Sequence, residues 1–326
     1  MKTALLSVYN KEGIADFARE LVGMGWDILA SCGTKKALEV VGIPARDVAE
    51  FVGGGPILGH RVVTLSRRLH AGLLATNLKD DTRELKRLGI PLIDLVCVDL
   101  YPLEVEANKP DSTQESVLQK TDIGGPALLR SAAKGRRIVI CDARDRQAVI
   151  KWLKDGCPSD TKFRNWLASK AEAVVAKYCL ISARYHSREK FDGIMGVEAM
   201  PLKYGENAWQ APASFFKIKS DDPLSINKFR LVAGVEPSYN NLADLDRMLQ
   251  TLTHIAAAFD LSCHIPPYIA IAGKHGNACG ASVSEDPVRA VRQMITGDTR
   301  AIFGGAVVVN FKIDEKIAEI LAMYST

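Results

Sequence analysis

Three groups of residues in this chain of 326 amino acids could do chemistry. The first is a pair of turns, Ser7-Val8-Tyr9-Asn10-Lys11-Glu12-Gly13 and Ser31-Cys32-Gly33-Thr34-Lys35, each after a run of strand length and before a helical pattern. Backbone N–H groups at a helix start, small residues and a lysine form a cradle for a phosphate. Ser, Gly and Thr also cap helices, so either turn alone reads first as ordinary loop chemistry. The second group is Asp122-Ile123-Gly124-Gly125, where two glycines permit close approach to the backbone and a helix carrying Arg130 and Lys134 at i,i+4 follows. Tyr101 ends an apolar run expected at the same sheet rim, so a phenol, a carboxylate and an amine would converge as proton transfer requires. Asp122 is equally a helix cap. The third group is Gly273-Lys274-His275-Gly276, where a cation beside an imidazole favours the neutral ring as a base. Lys203-Tyr204-Gly205-Glu206-Asn207 and Tyr239-Asn240-Asn241 are polar clusters that open apolar elements and read alone as turns and caps.

These residues need elements to hold them, and the pattern supplies an alternation of strand and helix. Thr3–Tyr9, Trp26–Ala30, Leu92–Leu100 and Arg137–Cys141 are apolar runs of strand length. Helical spacing covers Ile14 to Val22, Lys35–Val41, Arg144–Lys154 and Thr161–His186. Runs apolar throughout suit a mostly parallel sheet covered on both faces. The pattern weakens between Glu189 and Lys203, which puts a boundary between a domain of residues 1–188 and one of 189–326. In the second, Asp244–Phe259, Pro287–Ile295 and Asp314–Met323 read as helices, and Tyr268–Ala272 and Ala306–Asn310 as strands, again α/β.

Composition excludes other classes. At 47% hydrophobic and 25% charged residues the chain is neither disordered nor fibrous. A net charge of +4 without a basic block gives no case for nucleic acid as a partner. No apolar stretch reaches the ~18 residues of a membrane span. The 7 cysteines are scattered, without Cys-x-x-Cys or zinc-ligand spacing, so no metal is expected and the reducing cytoplasm is the expected setting.

Taken in order from Ala4 to about Leu321, ten segments resemble the bifunctional purine-biosynthesis family that joins an IMP cyclohydrolase to an AICAR formyltransferase. They include LLSVYNKEGI, ASCGTKKAL, GHRVVTL, DLYPL, TDIGGPALLRSAAK, PLKYGENAWQ, SYNNLADLD, KHGNACGAS and FGGAVVVN. The resemblance implies a methylglyoxal-synthase-like parallel-sheet domain followed by part of a cytidine-deaminase-like α/β domain without zinc. It implies formyl transfer from 10-formyltetrahydrofolate, a co-substrate, to AICAR, then ring closure of formyl-AICAR to IMP, with no tightly bound cofactor. Lys11, Ser31, Gly33, Thr34, Arg61, Thr64, Ile123 and Gly124 would hold the nucleotide in the first domain. Tyr101, Asp122 and Lys134 would move protons there, Lys134 as acid/base. In the second, Lys203, Tyr204, Asn241 and Gly304 would bind AICAR, with His275 as base and Lys274 polarising the formyl oxygen.

The match departs from the family at functional positions. The family lysine facing substrate is Val63, its second serine is Tyr9, and its Asn before Leu-Tyr-Pro is Asp99. Arg67 or Arg68 are candidates to replace the lost charge. Trp209 and Ala301 replace a His and a Ser in the second domain. The chain stops where family members continue into a second half of the transferase domain, so the transferase site is expected to be incomplete. A homodimer is expected from the resemblance, and the missing half would come from a separate chain or was lost by truncation of the gene. The alternative is a non-catalytic nucleotide-binding subunit.

Overall fold

In the computed structural model, which describes residues 1–59, 61–76, 78–218, 221–263 and 267–323, the chain divides into two units, Met1–Gly193 and Ile194–Thr326. His60 of the GHRVVTL segment lies outside the described residues.

The first unit runs β1 (Thr3–Ser7), α1 (Ile14–Gly23), β2 (Asp27–Ala30), α2 (Cys32–Glu39), β3 (Arg46–Asp47), α3 (Val48–Val52), α4 (Arg67–Leu74) and α5 (Lys79–Arg87). It continues with β4 (Leu95–Val98), α6 (Leu103–Ala107), α7 (Gln114–Gln119), α8 (Gly124–Lys134), β5 (Ile138–Ile140), α9 (Arg146–Lys154) and α10 (Asp160–Ser187). The strands form one parallel sheet in the order β3-β2-β1-β4-β5, with Leu5 opposite Leu29 and Val96. Successive residues of a strand point to opposite faces. Ala4, Leu6, Ile28 and Cys97 therefore enter a core with Phe17 and Leu21 of α1. Leu5, Leu29, Val96 and Val139 enter another with Leu69 and Leu73 of α4 and Leu128 of α8. Leu5 and Leu6 are wholly buried, each contributing roughly 1.5–3 kcal/mol. This explains the unbroken apolar runs. Leu167, Ala171, Val175 and Tyr178 recur along one face of the 28-residue α10 and are its buried side chains.

Chain order reverses direction at β1, with β2 and β3 on one side and β4 and β5 on the other. In open parallel sheets that switch leaves a crevice at the carboxyl ends of the strands, where ligands bind.

The second unit comprises β6 (Val197–Leu202), β7 (Ala213–Lys217), α11 (Tyr239–Cys263), β8 (Tyr268–Lys274), β9 (Asn277–Ser284), α12 (Pro287–Gly297), α13 (Thr299–Ile302), β10 (Ala306–Val309) and α14 (Glu315–Met323). Strands β6 and β7 pair as an antiparallel hairpin, and β6 lies inside the stretch where the sequence pattern fades. Its residues are largely exposed and include Pro201, so no apolar alternation marks it. The other sheet is β10-β8-β9, antiparallel throughout. Ile269 and Ile271 of β8 pack on Met248 and Leu252 of α11, and Ala270 and Ala272 on Ala290, Val291 and Met294 of α12. Strands β9 and β10 run the same way on either side of β8, with α12 between them in sequence.

Candidate functional site

A cavity of about 850 Å³ opens at the carboxyl edge of the first sheet, where the ends of β1, β3 and β4 and the starts of α2 and α8 meet. Ser7, Lys11, Ser31, Gly33, Arg61, Thr64, Tyr101, Asp122, Ile123 and Gly124 all line it, so most residues singled out in the sequence come together. The two turns face each other: a Cβ on Gly33 would stand 3.8 Å from the Lys11 ammonium nitrogen. That ammonium donates to the carbonyls of Val8 and, at 3.2 Å, Tyr9. Burial lowers the Lys11 pKa, with the Asp99 carboxylate opposing the shift. Arg61 Nε is held by the Leu58 carbonyl at 2.7 Å. A cation pair and a helix N-terminus with no side-chain cap on α2 suit an anionic ligand.

The opposite wall depends on missing side chains. A Cβ on Gly124 would fall 2.3 Å from Thr64 Oγ1, and one on Gly125 would fall 2.5 Å from Asp122 Oδ2. A side chain at either position would therefore displace Thr64 or Asp122 from the start of α8. Asp122 does cap the helix, accepting from the Gly125 N–H at 2.8 Å. Burial raises its pKa above the ordinary carboxylate value, against hydrogen bonds from the backbone of Gly125, Tyr101 and Gly124. The Tyr101 phenol is also raised, first by burial and then by the Asp122 charge. The Tyr9 and Tyr101 rings meet edge to face at 5.5 Å. A carboxyl group whose burial favours its neutral form, beside a phenol, is placed to exchange protons with a ligand.

Two positions depart from expectation. Thr34 is wholly buried, and its hydroxyl accepts from the Val8 N–H at 3.1 Å, so it ties β1 to α2 and does not line the cavity. Lys134 is the last residue of α8, whose first residue lines the cavity; ten residues at ~1.5 Å each set it roughly 15 Å along the helix. The phenol and carboxylate converge at the rim, and this amine does not. Arg130 pairs instead with Glu172 at 3.1 Å. Val63 lines the cavity, at the position where the resemblance gives family members a lysine. Arg68 does not replace it: its guanidinium lies over the Phe51 ring at 5.2 Å and donates to the Gly89 carbonyl at 3.1 Å.

Supporting residues escaped the sequence reading. Tyr178 of α10 accepts from the Asp122 N–H at 2.7 Å and donates to the Lys120 carbonyl at 2.9 Å, with burial pushing its phenol up to about 12. His70 of α4 bonds Ser131 Oγ of α8 at 2.8 Å and is linked to the Thr64 backbone. Arg146, almost wholly buried, donates to the Glu12 carbonyl at 2.7 Å under the first turn. Only tertiary contacts reveal these, because apart from the link of His70 to Thr64 each partner is 56 or more residues away.

In the second unit, Lys274 and His275 sit at a tight hairpin turn between β8 and β9, with His275 and Gly276 at φ 54° and 73°. A non-glycine residue in the left-handed region is strained. Buried Asp244 of α11 holds the turn, accepting from the Gly276 N–H at 2.6 Å. Lys274 donates to the Phe303 carbonyl at 2.8 Å, and a Cβ on Gly304 would lie 3.9 Å from its ammonium nitrogen. Near the start of α11, the Tyr239 N–H donates to the Tyr204 carbonyl at 3.2 Å, and Asn241 Oδ1 accepts from the Ser238 N–H at 3.0 Å. The Lys203 ammonium lies over the Tyr204 ring at 5.7 Å. The start of α11 thus links the Lys203-Tyr204 segment to the Lys274-His275 turn. None of Lys203, Tyr204, Asn241, Lys274, His275 and Gly304 lines the groove of about 910 Å³ between β7 and α11.

Among the described residues, no group of three or more His, Cys, Asp or Glu could hold a metal ion, and no helix is long and apolar enough to cross a membrane.

Comparison with known proteins finds the model of the AICARFT/IMPCHase bienzyme family over residues 132–325 and that of the MGS-like domain over residues 13–127. The bifunctional purine biosynthesis protein PurH of Acidithiobacillus ferrooxidans is 35% identical over 98% of this chain and 61% of its own length. That of Lactiplantibacillus plantarum shows the same identity and the same shares. The chain thus spans about three fifths of the curated relatives it matches. The crystal structure of ForH is 32% identical, with a TM-score of 0.51, covering 59% of this chain and all of that one.

Proposed function

Since the chain belongs to the AICARFT/IMPCHase bienzyme family, we propose that its first unit closes the ring of formyl-AICAR to IMP and that its second carries part of an AICAR formyltransferase site. The observation that carries this reading is the meeting of Asp122 and Tyr101 in one cavity with Lys11, Arg61 and the N-terminus of α2. The cations and helix dipole take the 5′-phosphate. The carboxamide nitrogen attacks the formyl carbon and gives up one proton. The former formyl oxygen takes that proton, takes a second from the formylamino nitrogen and leaves as water. Ionised Asp122 accepts from the attacking nitrogen, and the Tyr101 phenol donates to the oxygen. Proton transfer by positioned groups of this kind supplies roughly 10²–10⁴-fold. Lys134 stands a helix length away, so these transfers are assigned to Asp122 and Tyr101.

In the second unit, His275 would take the proton of the attacking AICAR amine, Lys274 would polarise the formyl oxygen of 10-formyltetrahydrofolate, and Lys203, Tyr204, Asn241 and Gly304 would bind AICAR. That half of the reading includes a second copy of the chain or a partner supplying further contacts, read by sedimentation with and without AICAR. A second reading, nucleotide binding without turnover, is favoured by Val63 in the cavity wall.

The deciding experiment supplies formyl-AICAR to the chain and follows IMP by absorbance. Turnover above background that is lost in Asp122→Asn supports the cyclohydrolase. Binding of IMP by calorimetry without turnover establishes the second reading instead.

A further inference from the structure

The Ser7–Gly13 turn offers the backbone N–H groups that an anion at the end of β1 would take, yet a side chain of this protein already occupies two of them. Asp99, the residue after β4, accepts from the Tyr9 N–H through Oδ1 and from the Asn10 N–H at 3.0 Å through Oδ2. Lys11, the cation of the turn, donates inward to the Val8 and Tyr9 carbonyls and lies in the field of the same carboxylate. Across the cavity, α2 begins without a side-chain cap, beside Lys11 and Gly33. The two turns look alike in sequence, but one carries its own anion and the other does not.

We propose that Asp99 is a specificity-determining resident anion. It fills the first turn, restricts the ligand's anionic group to the second, and presents its outer face to ligand hydrogen-bond donors such as ribose hydroxyls. This rests on the nucleotide reading of the cavity and names how that site chooses among nucleotides. A phosphate brought against Asp99 would meet a like charge, which disfavours binding there. Carboxylate bonds to backbone N–H groups are stronger than their amide counterparts, so the same residue also stiffens the turn.

Calorimetry of the full chain with IMP and with inosine tests this, using wild type, Asp99→Asn and Asp99→Ser. Both variants remove the charge, and serine keeps an acceptor should asparagine perturb folding. The expected result is IMP affinity raised roughly tenfold in both variants, inosine affinity unchanged or weaker, and a lower unfolding midpoint. A purely structural tie would lower the midpoint and the IMP affinity together, and that result overturns the proposal, as does unchanged IMP affinity. IMP bound by none of the three proteins refutes the nucleotide reading itself, and this inference with it.

Discussion

Replacing Tyr178 with Phe removes one oxygen atom and keeps the ring that packs with Leu103 and Val117. That oxygen accepts from the Asp122 N–H at 2.7 Å and donates to the Lys120 carbonyl at 2.9 Å, from a side chain only 8% exposed. Each hydrogen bond contributes about 1 kcal/mol net, and a partner left unsatisfied in the interior costs roughly 1–3 kcal/mol. The two losses together are expected to destabilise the first unit by roughly 3 kcal/mol. A domain near the 193 residues of this unit loses roughly 2–4 °C per kcal/mol, so its transition should fall by roughly 6–12 °C. Calorimetry of the full chain reads this. The segment freed is the one that positions Asp122, and misplacement of about 1 Å can slow a reaction roughly 100-fold. Cyclisation of formyl-AICAR by Tyr178→Phe should therefore show a kcat lowered tenfold or more with a smaller change in KM. A midpoint within about 1 °C of wild type together with an intact kcat would refute the reasoning. The Asp122–Gly125 cap would then suffice to hold the loop.

Three further outcomes are expected. Asp122→Asn should lower cyclisation by roughly 10²–10⁴-fold while leaving the unfolding midpoint at pH 7 unchanged or higher. Burial raises the native pKa of Asp122, so ionisation subtracts stability as pH rises through that raised value, and the neutral amide escapes this; midpoints across pH 4–8 check it. The wild-type rate should climb with pH above the ordinary Asp value of about 3.9. Val63→Lys should speed cyclisation roughly tenfold to a hundredfold, the equivalent of a charged contact of roughly 1.5–3 kcal/mol, and an unchanged rate rejects the vacancy as the defect. Burial lowers the His70 pKa, so the fold holds it neutral, and stability should be lost as pH falls below about 6.5 through the native value. His70→Gln should flatten that dependence in unfolding midpoints measured between pH 7.5 and 5.

Local pattern was enough for four strands of the first sheet, but not for the two-residue β3, which is too short to show a pattern. Leu5, Leu29 and Val96 lie in unbroken apolar runs because their strands are covered on both faces, and such runs announce themselves without any partner in view. The turns after β1 and β2 were legible as strand-to-helix junctions, but their Ser, Gly and Thr serve equally as helix caps, so a ligand-binding role was not legible from either turn alone. Hairpin β6–β7 was not legible, because its exposed side chains carry no alternation.

Residue order also sufficed to bring most of the candidate site to one rim, as the carboxyl ends of parallel strands must share an edge. What it could not decide was which hydroxyl, amine or carboxylate at that rim faces a ligand. Ser31 and Thr34 are three residues apart, yet the phase of α2 exposes Ser31 to the cavity and buries Thr34 against Val8. Lys134 belongs to the same motif as Gly124, and the rise of the helix carries it away. Asp99 and Asn10 are separated by 89 residues, and only the pairing of β1 with β4 sets the carboxylate on the turn. Short-range periodicity determines which segments are strand or helix. The orientation of a polar group depends on contacts between segments far apart in the chain, and those exist only once the sheet has formed.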